Sequence, residues 1–357
     1  MEAQPKNQPP VAAKLAALAA LSRVISGKGL SEAAESVGAG IQVETSSGKD
    51  RRRALFYGGD TLGSLGASVR WAAVQNADEL HILSEVGVGN DIARRAAYLA
   101  CGFDVSIWAV DGDRFSRLEP AALELPPELS EEYRQFGELM VAAGAKPVDD
   151  FGRLVAEVNG LEVARATRET DMTDGGVSPV VLEIGVGQAD RELHQLIHGN
   201  IEQLDPDGAS SSTDNEALLE RLSKVVSDVA AMRTTGEVDH PLTLVAQQRW
   251  IRSLVTKEPA LVDAADLAAV PPLRPRDTVL GIDAAAAVGT SVNGEPIVVV
   301  CSAGVDLDLA AEAGDYRHRH NDDAMLIILV PERDLYLIEP TILDLLSNVV
   351  VRPAPAL

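Results

Sequence analysis

Glycine-rich turns after short apolar runs are the places in this sequence best suited to bind a ligand. Residues 83–99 read LSEVGVGNDIARRAAYL and residues 181–197 read VLEIGVGQADRELHQLI, so both contain Glu-x-Gly-Val-Gly. Such a turn between a strand and a helix presents unpaired backbone N–H groups and the positive end of a helix dipole, which together attract an anion. The candidate nucleotide- or phosphate-binding residues are Gly58, Gly59, Gly87, Gly89, Gly185 and Gly187.

None of these turns is a complete nucleotide-binding motif. Ile92 and Asp190 stand where a G-x-G-x-x-G motif has its third glycine, and residues 58–66 (GGDTLGSLG) lack the Lys-Ser or Lys-Thr of a P-loop. Glu85 and Glu183 place negative charge beside the turns, which disfavours phosphate. The turns are therefore interpreted first as structural, because glycine lets a helix approach a strand closely.

A hairpin, a further strand and a helix are predicted around Asn159-Gly160, a dipeptide that separates two apolar runs and favours a tight turn. This order of elements resembles the core of PD-(D/E)xK, or restriction-endonuclease-like, nucleases. The resemblance implies that Glu162 and Glu183 form the catalytic and metal-binding pair for Mg²⁺ or Mn²⁺, which prefer hard oxygen ligands. Gly185 stands where the family has lysine, so the implied motif is incomplete.

Histidines give a weaker candidate for metal binding. His194 and His198 are four residues apart, so a helix places them on one face near Glu192. They lack the intervening glutamate of an H-E-x-x-H zinc motif, and His198 lies at the predicted helix end, where the dipole favours histidine. The stretch 318–323 (HRHNDD) is interpreted as a solvated polar loop.

Nucleophilic catalysis has little support in the sequence. Cys101 and Cys301 lie in separate apolar segments without the paired spacing of a disulfide framework, a pattern typical of a reducing cytosol. Cys301 directly follows an apolar run, and burial would raise the pKa of its thiol. Both cysteines are therefore predicted to be core residues.

The strands and helices predicted around these residues indicate an α/β fold. It consists of repeated strand–glycine turn–helix units with β-hairpins and a helical insert. A third, altered copy of the turn is Ser302-Ala-Gly-Val-Asp306, preceded by a second hairpin signal at Asn293-Gly294. Apolar residues at helical spacing predict helices at residues 11–25, 64–75 and 91–99 and an amphipathic helix over 216–232 with Thr213 as its capping residue. Further helices are predicted to begin near Pro241 and at Pro340. The predicted organisation is a disordered tail and short helix (1–50), a first repeat (51–145), a second repeat (146–204), a linker and helical insert (205–275) and a third repeat (276–357).

Charge and hydropathy exclude some classes of partner. The chain has 31 Lys and Arg against 54 Asp and Glu, a formal net charge of −23, which repels a phosphate backbone. The one tight basic run, Arg51 to Arg53, is interpreted as a solvated strand flank. Apolar runs stay shorter than the roughly 18 to 20 residues of a membrane span, so nucleic acid and membranes are both disfavoured.

Four stretches carry a second resemblance: residues 181–192 (VLEIGVGQADRE), 240–250 (HPLTLVAQQRW), 298–309 (VVVCSAGVDLDL) and 328–334 (ILVPERD). They resemble a family of actinobacterial proteins, which implies a cytoplasmic α/β protein and assigns no catalytic residue. We therefore expect a non-catalytic binding or assembly protein with a protein partner and a degenerate nuclease-like third repeat. The alternatives are a divalent-metal nuclease or phosphodiesterase that uses Glu162 and Glu183, and a nucleotide- or phosphate-binding protein.

Overall fold

The computed structural model of the chain describes residues 11–27, 35–37, 40–47, 51–59, 62–85, 87–111, 114–168, 179–186, 215–234, 236, 240–276 and 278–357. Its contacts divide the chain into two compact units. Unit 1 comprises Met1–Leu123, Val305–Asp315 and Leu337–Ser347, and unit 2 comprises Glu124–Gly304, Tyr316–Tyr336 and Asn348–Leu357. Both units are discontinuous in sequence, whereas the five predicted segments are continuous stretches, and that division stays a prediction.

Unit 1 contains a mixed six-stranded sheet. In sheet order its strands are β1 (Glu35–Val37), β2 (Gly40–Ser47), β3 (Arg51–Gly59), β4 (Glu79–Ser84), β5 (Asp104–Asp111) and β6 (Arg114–Arg117). Strands β3, β4 and β5 are parallel, and the other pairs are antiparallel. The parallel strands are linked by helices, as the alternation of apolar strand and helix patterns predicts.

The helices of unit 1 cover the sheet with aliphatic side chains. Three of them are α1 (Val11–Ser26), α2 (Leu65–Val74, after a 3₁₀ turn at Leu62–Ser64) and α3 (Gly89–Ala97). Leu18 and Leu21 of α1 pack against Leu55, Tyr57 and Leu83 of the sheet. The apolar 3.6-residue period of these segments therefore predicted their positions to within one or two residues.

Unit 2 contains the second and third sheets of the chain. The second sheet is an antiparallel meander. Its strands are β7 (Lys146–Asp149), β8 (Leu154–Val158), β9 (Leu161–Arg168) and β10 (Val180–Ile184), and every neighbouring pair is antiparallel. Asn159 and Gly160 have φ of 46° and 75°, the positive values that a two-residue type I′ hairpin requires. The predicted hairpin is confirmed.

The second sheet has an apolar face covered by helices. Helices α4 (Glu131–Arg134) and α5 (Gly137–Ala142) precede the sheet in sequence, and α6 (Asn215–Met232) follows it. Leu222 and Val229 of α6 pack with Met140 of α5 and with Ala164 of β9 in one core. Helix α6 is the predicted amphipathic helix, and its predicted capping residue, Thr213, lies outside the described residues.

The third sheet has five strands in sequential order. They are β11 (Ala264–Ala269), β12 (Ala285–Ser291), β13 (Pro296–Cys301), β14 (Met325–Val330) and β15 (Val349–Pro353). The first three are antiparallel, with Asn293-Gly294 in the predicted turn between β12 and β13, and the last three are parallel. Helix α7 (Gln247–Lys257) precedes the sheet in sequence, α8 (Leu309–His320) follows β13, and α9 (Glu332–Leu345) follows β14.

Two predicted helix starts were wrong. A 3₁₀ turn occupies Pro241–Thr243, and the α-helix begins only at Gln247 because Ala246 has a φ of 51° and interrupts the helical backbone. The last helix begins at Glu332 and contains Pro340 in its interior. Pro331 precedes this helix, and the N–H of Asp334 in its first turn donates to the Pro331 carbonyl, so helix formation starts upstream of Pro340.

The three copies of the glycine turn occupy different places in the sheets. Glu85 follows a parallel strand of unit 1, Glu183 lies on the antiparallel strand β10, and Ser302 follows the first parallel strand of the third sheet. The first and third sheets do share one succession, two antiparallel pairings followed by two parallel ones. When the two sheets are superposed by this succession, β3 corresponds to β13. Gly58, near the end of β3, then corresponds to Ser302 after β13, and Glu85 does not. The α/β class is therefore established, and the threefold repeat stays a prediction.

Candidate functional site

The glutamates predicted to bind a metal lie on adjacent strands of the second sheet. Glu162 is on β9 and Glu183 is on β10, where it pairs across the strands with Arg165. Arg165 Nε and Nη2 donate to the two carboxylate oxygens of Glu162, each at 2.8 Å. The structure therefore brings both predicted site residues beside one guanidinium group.

A β-bulge explains why Glu162 and Arg165 face the same side. Ala156 lies opposite Ala164, but Glu157 lies opposite Glu162, so β9 contains one extra residue at Val163. Side chains three apart on a regular strand would point to opposite faces, and a bulge reverses that alternation. One face of the second sheet consequently carries Glu157, Glu162 and Arg165 together.

Helix α7 covers this charged face. Arg252 of α7 donates to the carboxylate of Glu157, and Arg249 Nη1 lies 4.0 Å from the other Glu157 oxygen. The loop after β11 adds Arg276, whose Nε donates to Asp150 at 2.7 Å. We call this set the buried ion-pair cluster; its members are Asp150, Glu157, Glu162, Arg165, Arg249, Arg252 and Arg276.

Helix α7 has an apolar side as well. Ile251 and Val255 pack against Ile297 and Val299 of β13 and against Ile327 of β14. One helix therefore joins the two sheets of unit 2, through arginines on one side and aliphatic side chains on the other. Gly160 allows the close approach, because a Cβ there would lie 2.3 Å from the carbonyl carbon of Arg249.

The ion-pair cluster keeps Glu157 and Arg249 charged at neutral pH. Burial pushes the pKa of Glu157 upward, but the charges of Arg252, Arg249 and Arg276 outweigh burial and lower that pKa overall. Burial and the neighbouring charge of Arg276 lower the pKa of Arg249 to about 10. General acid–base catalysis favours a group whose pKa lies near the working pH. The lowered pKa of Glu157 and the pKa of about 10 of Arg249 both leave the group charged at neutral pH, which suits ion pairing.

Metal ligation would have to compete with these ion pairs. Within the part of the chain that the structure describes, no group of three or more His, Cys, Asp or Glu could hold a metal ion. Both oxygens of Glu162 are bound by Arg165, so a cation there would have to displace the guanidinium. The predicted histidine site, with His194 and His198, lies outside the described residues.

Two of the candidate glycines, Gly58 and Gly89, allow close packing. A Cβ on Gly58 would lie 2.7 Å from Ser64 Oγ, and a Cβ on Gly89 would lie 2.2 Å from Leu118 Cδ1. Gly87 and Gly185 have positive φ at the ends of their turns. Gly59 ends β3, and Gly187 lies outside the described residues. These contacts favour structural turns, and anion binding at them stays a prediction.

Burial disfavours the reactive thiolate form of both cysteines. Burial raises the pKa of the Cys101 thiol to about 11 and that of the Cys301 thiol to about 12. Thiolate reactivity needs the opposite shift. After Cys301, the N–H of Gly304 donates to Asp334 Oδ2 at 3.0 Å, which fixes the chain where it leaves β13.

Sequence reasoning missed most of the ion-pair cluster, including Asp150, Glu157, Arg249, Arg252 and Arg276. Two signals were present in the sequence. Glu157 is a lone charge inside the apolar run LVAEV, and Arg249 and Arg252 are three apart on a helix that also carries Trp250. A charged residue in an apolar element indicates a buried partner, because burial of an unpaired charge is costly.

A cavity of about 300 Å³ on unit 2 was also not predicted. Its walls come from α7 and the turn before it, from the start of α9, and from residues 354–357 after β15. The lining side chains include Leu244, Gln247, Trp250, Ile251 and Arg333. Aromatic, aliphatic and cationic groups therefore meet in one concave site.

No similar protein indicates a function for the cluster or for the cavity. Among the described residues, no helix is long and apolar enough to cross a membrane. No protein-family model, no curated protein and no solved structure gives a significant match to this chain.

Proposed function

We propose that this chain is a non-catalytic binding or assembly protein whose binding part is unit 2. The observation that carries the proposal is the two-point ion pair between Arg165 and Glu162. It engages the carboxylate that the metal-enzyme alternative needs for Mg²⁺. The same proposal includes a cytoplasmic location and a protein partner, which the cysteine pattern and the net charge of −23 favour.

The ion-pair geometry supports a structural role for the acidic residues. A Mg²⁺ ion shared by Glu162 and Glu183 needs carboxylate oxygens at about 2.0 to 2.1 Å from the metal. Instead, Arg165 is the cross-strand neighbour of Glu183, and it donates two N–H groups to the carboxylate of Glu162. Two-point arginine–carboxylate pairs are among the stronger hydrogen-bonded pairs in proteins, so these residues act as packing elements.

The cluster also links elements of unit 2 that are distant in sequence. Glu157 and Arg252 are 95 positions apart in sequence and join β8 to α7. Breaking a buried ion pair leaves an uncompensated charge, at a cost of about 3–5 kcal/mol. The charged residues thus hold in place the helix that forms one wall of the cavity.

Calorimetric titration of chelator-treated protein with Mg²⁺ and Mn²⁺ tests the proposal. We expect no stoichiometric binding to the wild type, to Glu183→Gln, or to the control variant Glu138→Gln, which changes an exposed glutamate on α5. Binding of about one equivalent that disappears in Glu183→Gln and persists in Glu138→Gln would overturn the proposal. That result would support a divalent-metal nuclease or phosphodiesterase instead.

A further inference from the structure

We propose that the cavity on unit 2 binds a small organic carboxylate that carries an aromatic or aliphatic group. This inference rests on the proposed function and adds a small-molecule ligand to its protein partner. The cavity lies where Pro331 follows β14 and where Ala354 follows β15. These strands are parallel, and ligands of open α/β sheets bind at the carboxyl ends of the strands.

The volume sets the size of the ligand. Ligand pockets span about 300 to 1,000 Å³, and this cavity, at about 300 Å³, is at the lower limit. A small molecule fits such a volume, whereas a helix or a folded segment does not. The site is therefore matched to a compact ligand.

One wall of the cavity is apolar. Trp250 and Ile251 are 1% and 0% exposed and form its floor from α7, whereas Leu244 lies at the surface with 65% exposure. An exposed leucine beside a buried tryptophan leaves apolar area that a ligand group can cover. An aromatic ring or a short aliphatic chain suits this wall.

The start of α9 supplies a cation to the cavity. Arg333, in the first turn of α9, donates from Nη2 to Gln247 Oε1 at 3.1 Å, and its Nε lies 3.6 Å from Asp334 Oδ2. Its side chain is 64% exposed, so it can still bind a ligand. Its planar guanidinium can bind a carboxylate through two parallel N–H groups. The positive end of the helix dipole adds to this attraction. Glu332 also lines the cavity and opposes it with one negative charge.

A second cation lies behind the apolar wall. The guanidinium of Arg233, 1% exposed, is 4.3 Å from the ring centroid of Trp250. It donates to the carbonyls of Leu242 and Val245, on either side of the cavity-lining residues Thr243 and Leu244. Burial lowers the pKa of Arg233 to about 9, so the group stays cationic at neutral pH.

Arg233 makes the cavity more attractive to an anion. Its Nε and Nη2 form no hydrogen bond within the described part of the chain, and the charge of Glu157 acts on it only from a distance. A charge that is not neutralised by a direct partner acts over a longer range inside a protein than in water. Arg233 and Arg333 together balance the nearby carboxylates Glu332 and Asp334. Asp334 does not line the cavity, so a ligand carboxylate beside Arg333 is favoured although the whole chain is acidic.

Ligand-observed NMR titration with phenylacetate and with phenylacetamide tests this inference. The two probes have the same ring and nearly the same size, and only phenylacetate is charged. We expect phenylacetate to bind at least tenfold more tightly than phenylacetamide. Equal affinities would overturn the proposal by showing an apolar pocket without anion recognition, and absence of binding by both probes would overturn it as well.

Two variants and one control locate the binding. Arg333→Gln should weaken phenylacetate binding at least tenfold and leave phenylacetamide unchanged, whereas Leu244→Trp should fill the mouth and weaken both probes. Arg134→Gln, at an exposed arginine on α4, should change neither. Since Arg333 and Leu244 are both exposed, these variants are expected to fold, as circular dichroism will show. Unchanged phenylacetate binding by Arg333→Gln would overturn the proposal.

The same preparation separates this inference from the proposed function. If neither probe binds and Mg²⁺ does not bind stoichiometrically either, only the proposed ligand class is overturned. Stoichiometric Mg²⁺ binding that depends on Glu183 would overturn the non-catalytic function, whatever the probes do.

Discussion

At the scale of single residues, unit 2 is organised by charges that are almost fully buried. Glu157 is 4% exposed and Arg252 is 2% exposed, and each is the other's main partner. Exposed pairs of the same residue types contribute little to stability, because water screens them and the side chains must be ordered. Whether a charged residue is buried or exposed therefore decides how much its ion pair contributes to stability.

Arg252→Gln should destabilise the protein by about 3–5 kcal/mol, because it leaves Glu157 buried beside the more distant Arg249. Urea denaturation followed by circular dichroism measures this change. The matched control is Arg134→Gln, which breaks the exposed pair with Glu131 and should cost no more than about 1 kcal/mol. Equal effects of the two substitutions would contradict a stabilising role for the cluster.

At the scale of elements, α7 joins the two sheets of unit 2 because its two sides differ in chemistry. Arg249 and Arg252 face the charged side of the second sheet, and Ile251 and Val255 face the third sheet. The β8–β9 hairpin meets the start of this helix at Gly160, where the two backbones are closer than any side chain allows.

Gly160→Ala should therefore cost more stability than the same change in another hairpin. Gly294 is the control, because it also has a positive φ, 83°, but a Cβ there would meet no atom within 4 Å. Gly294→Ala should cost about 1–2 kcal/mol from backbone strain alone. Gly160→Ala should add about 1–3 kcal/mol of overpacking against α7. Urea denaturation of both variants measures the difference, and equal losses would contradict the close approach.

At the scale of the whole molecule, the excess of acidic residues is the main long-range force. A net charge of −23 destabilises a compact chain through self-repulsion. Exposed charges are screened by salt within about 10 Å at 0.1 M, whereas buried pairs are screened much less. Salt should therefore relieve the surface repulsion and leave the ion-pair cluster intact.

Raising NaCl from about 10 mM to about 150 mM should raise the thermal unfolding midpoint. Differential scanning calorimetry at neutral pH measures the shift, with sucrose at equal osmolarity as an uncharged control. A lower midpoint in salt would mean that exposed ion pairs outweigh the repulsion among carboxylates.

The sequence by itself determined those features that depend on neighbouring residues. The hairpins at Asn159-Gly160 and Asn293-Gly294, the amphipathic helix α6 and the strands and helices of the first sheet follow from turn conformation and hydrophobic period. These rules act over a few residues, so a single sequence contains the information. The pairing of Glu162 with Glu183 was instead an implication of the resemblance to nucleases, and their catalytic and metal-binding role stays a prediction.

Only the tertiary structure decided what those glutamates contact. The bulge at Val163 turns Arg165 toward Glu162, and the Glu157–Arg252 pair joins residues 95 positions apart. The cavity likewise combines side chains from three separate stretches of chain. Such contacts depend on how distant elements pack, and neither residue spacing nor hydrophobic period carries that information.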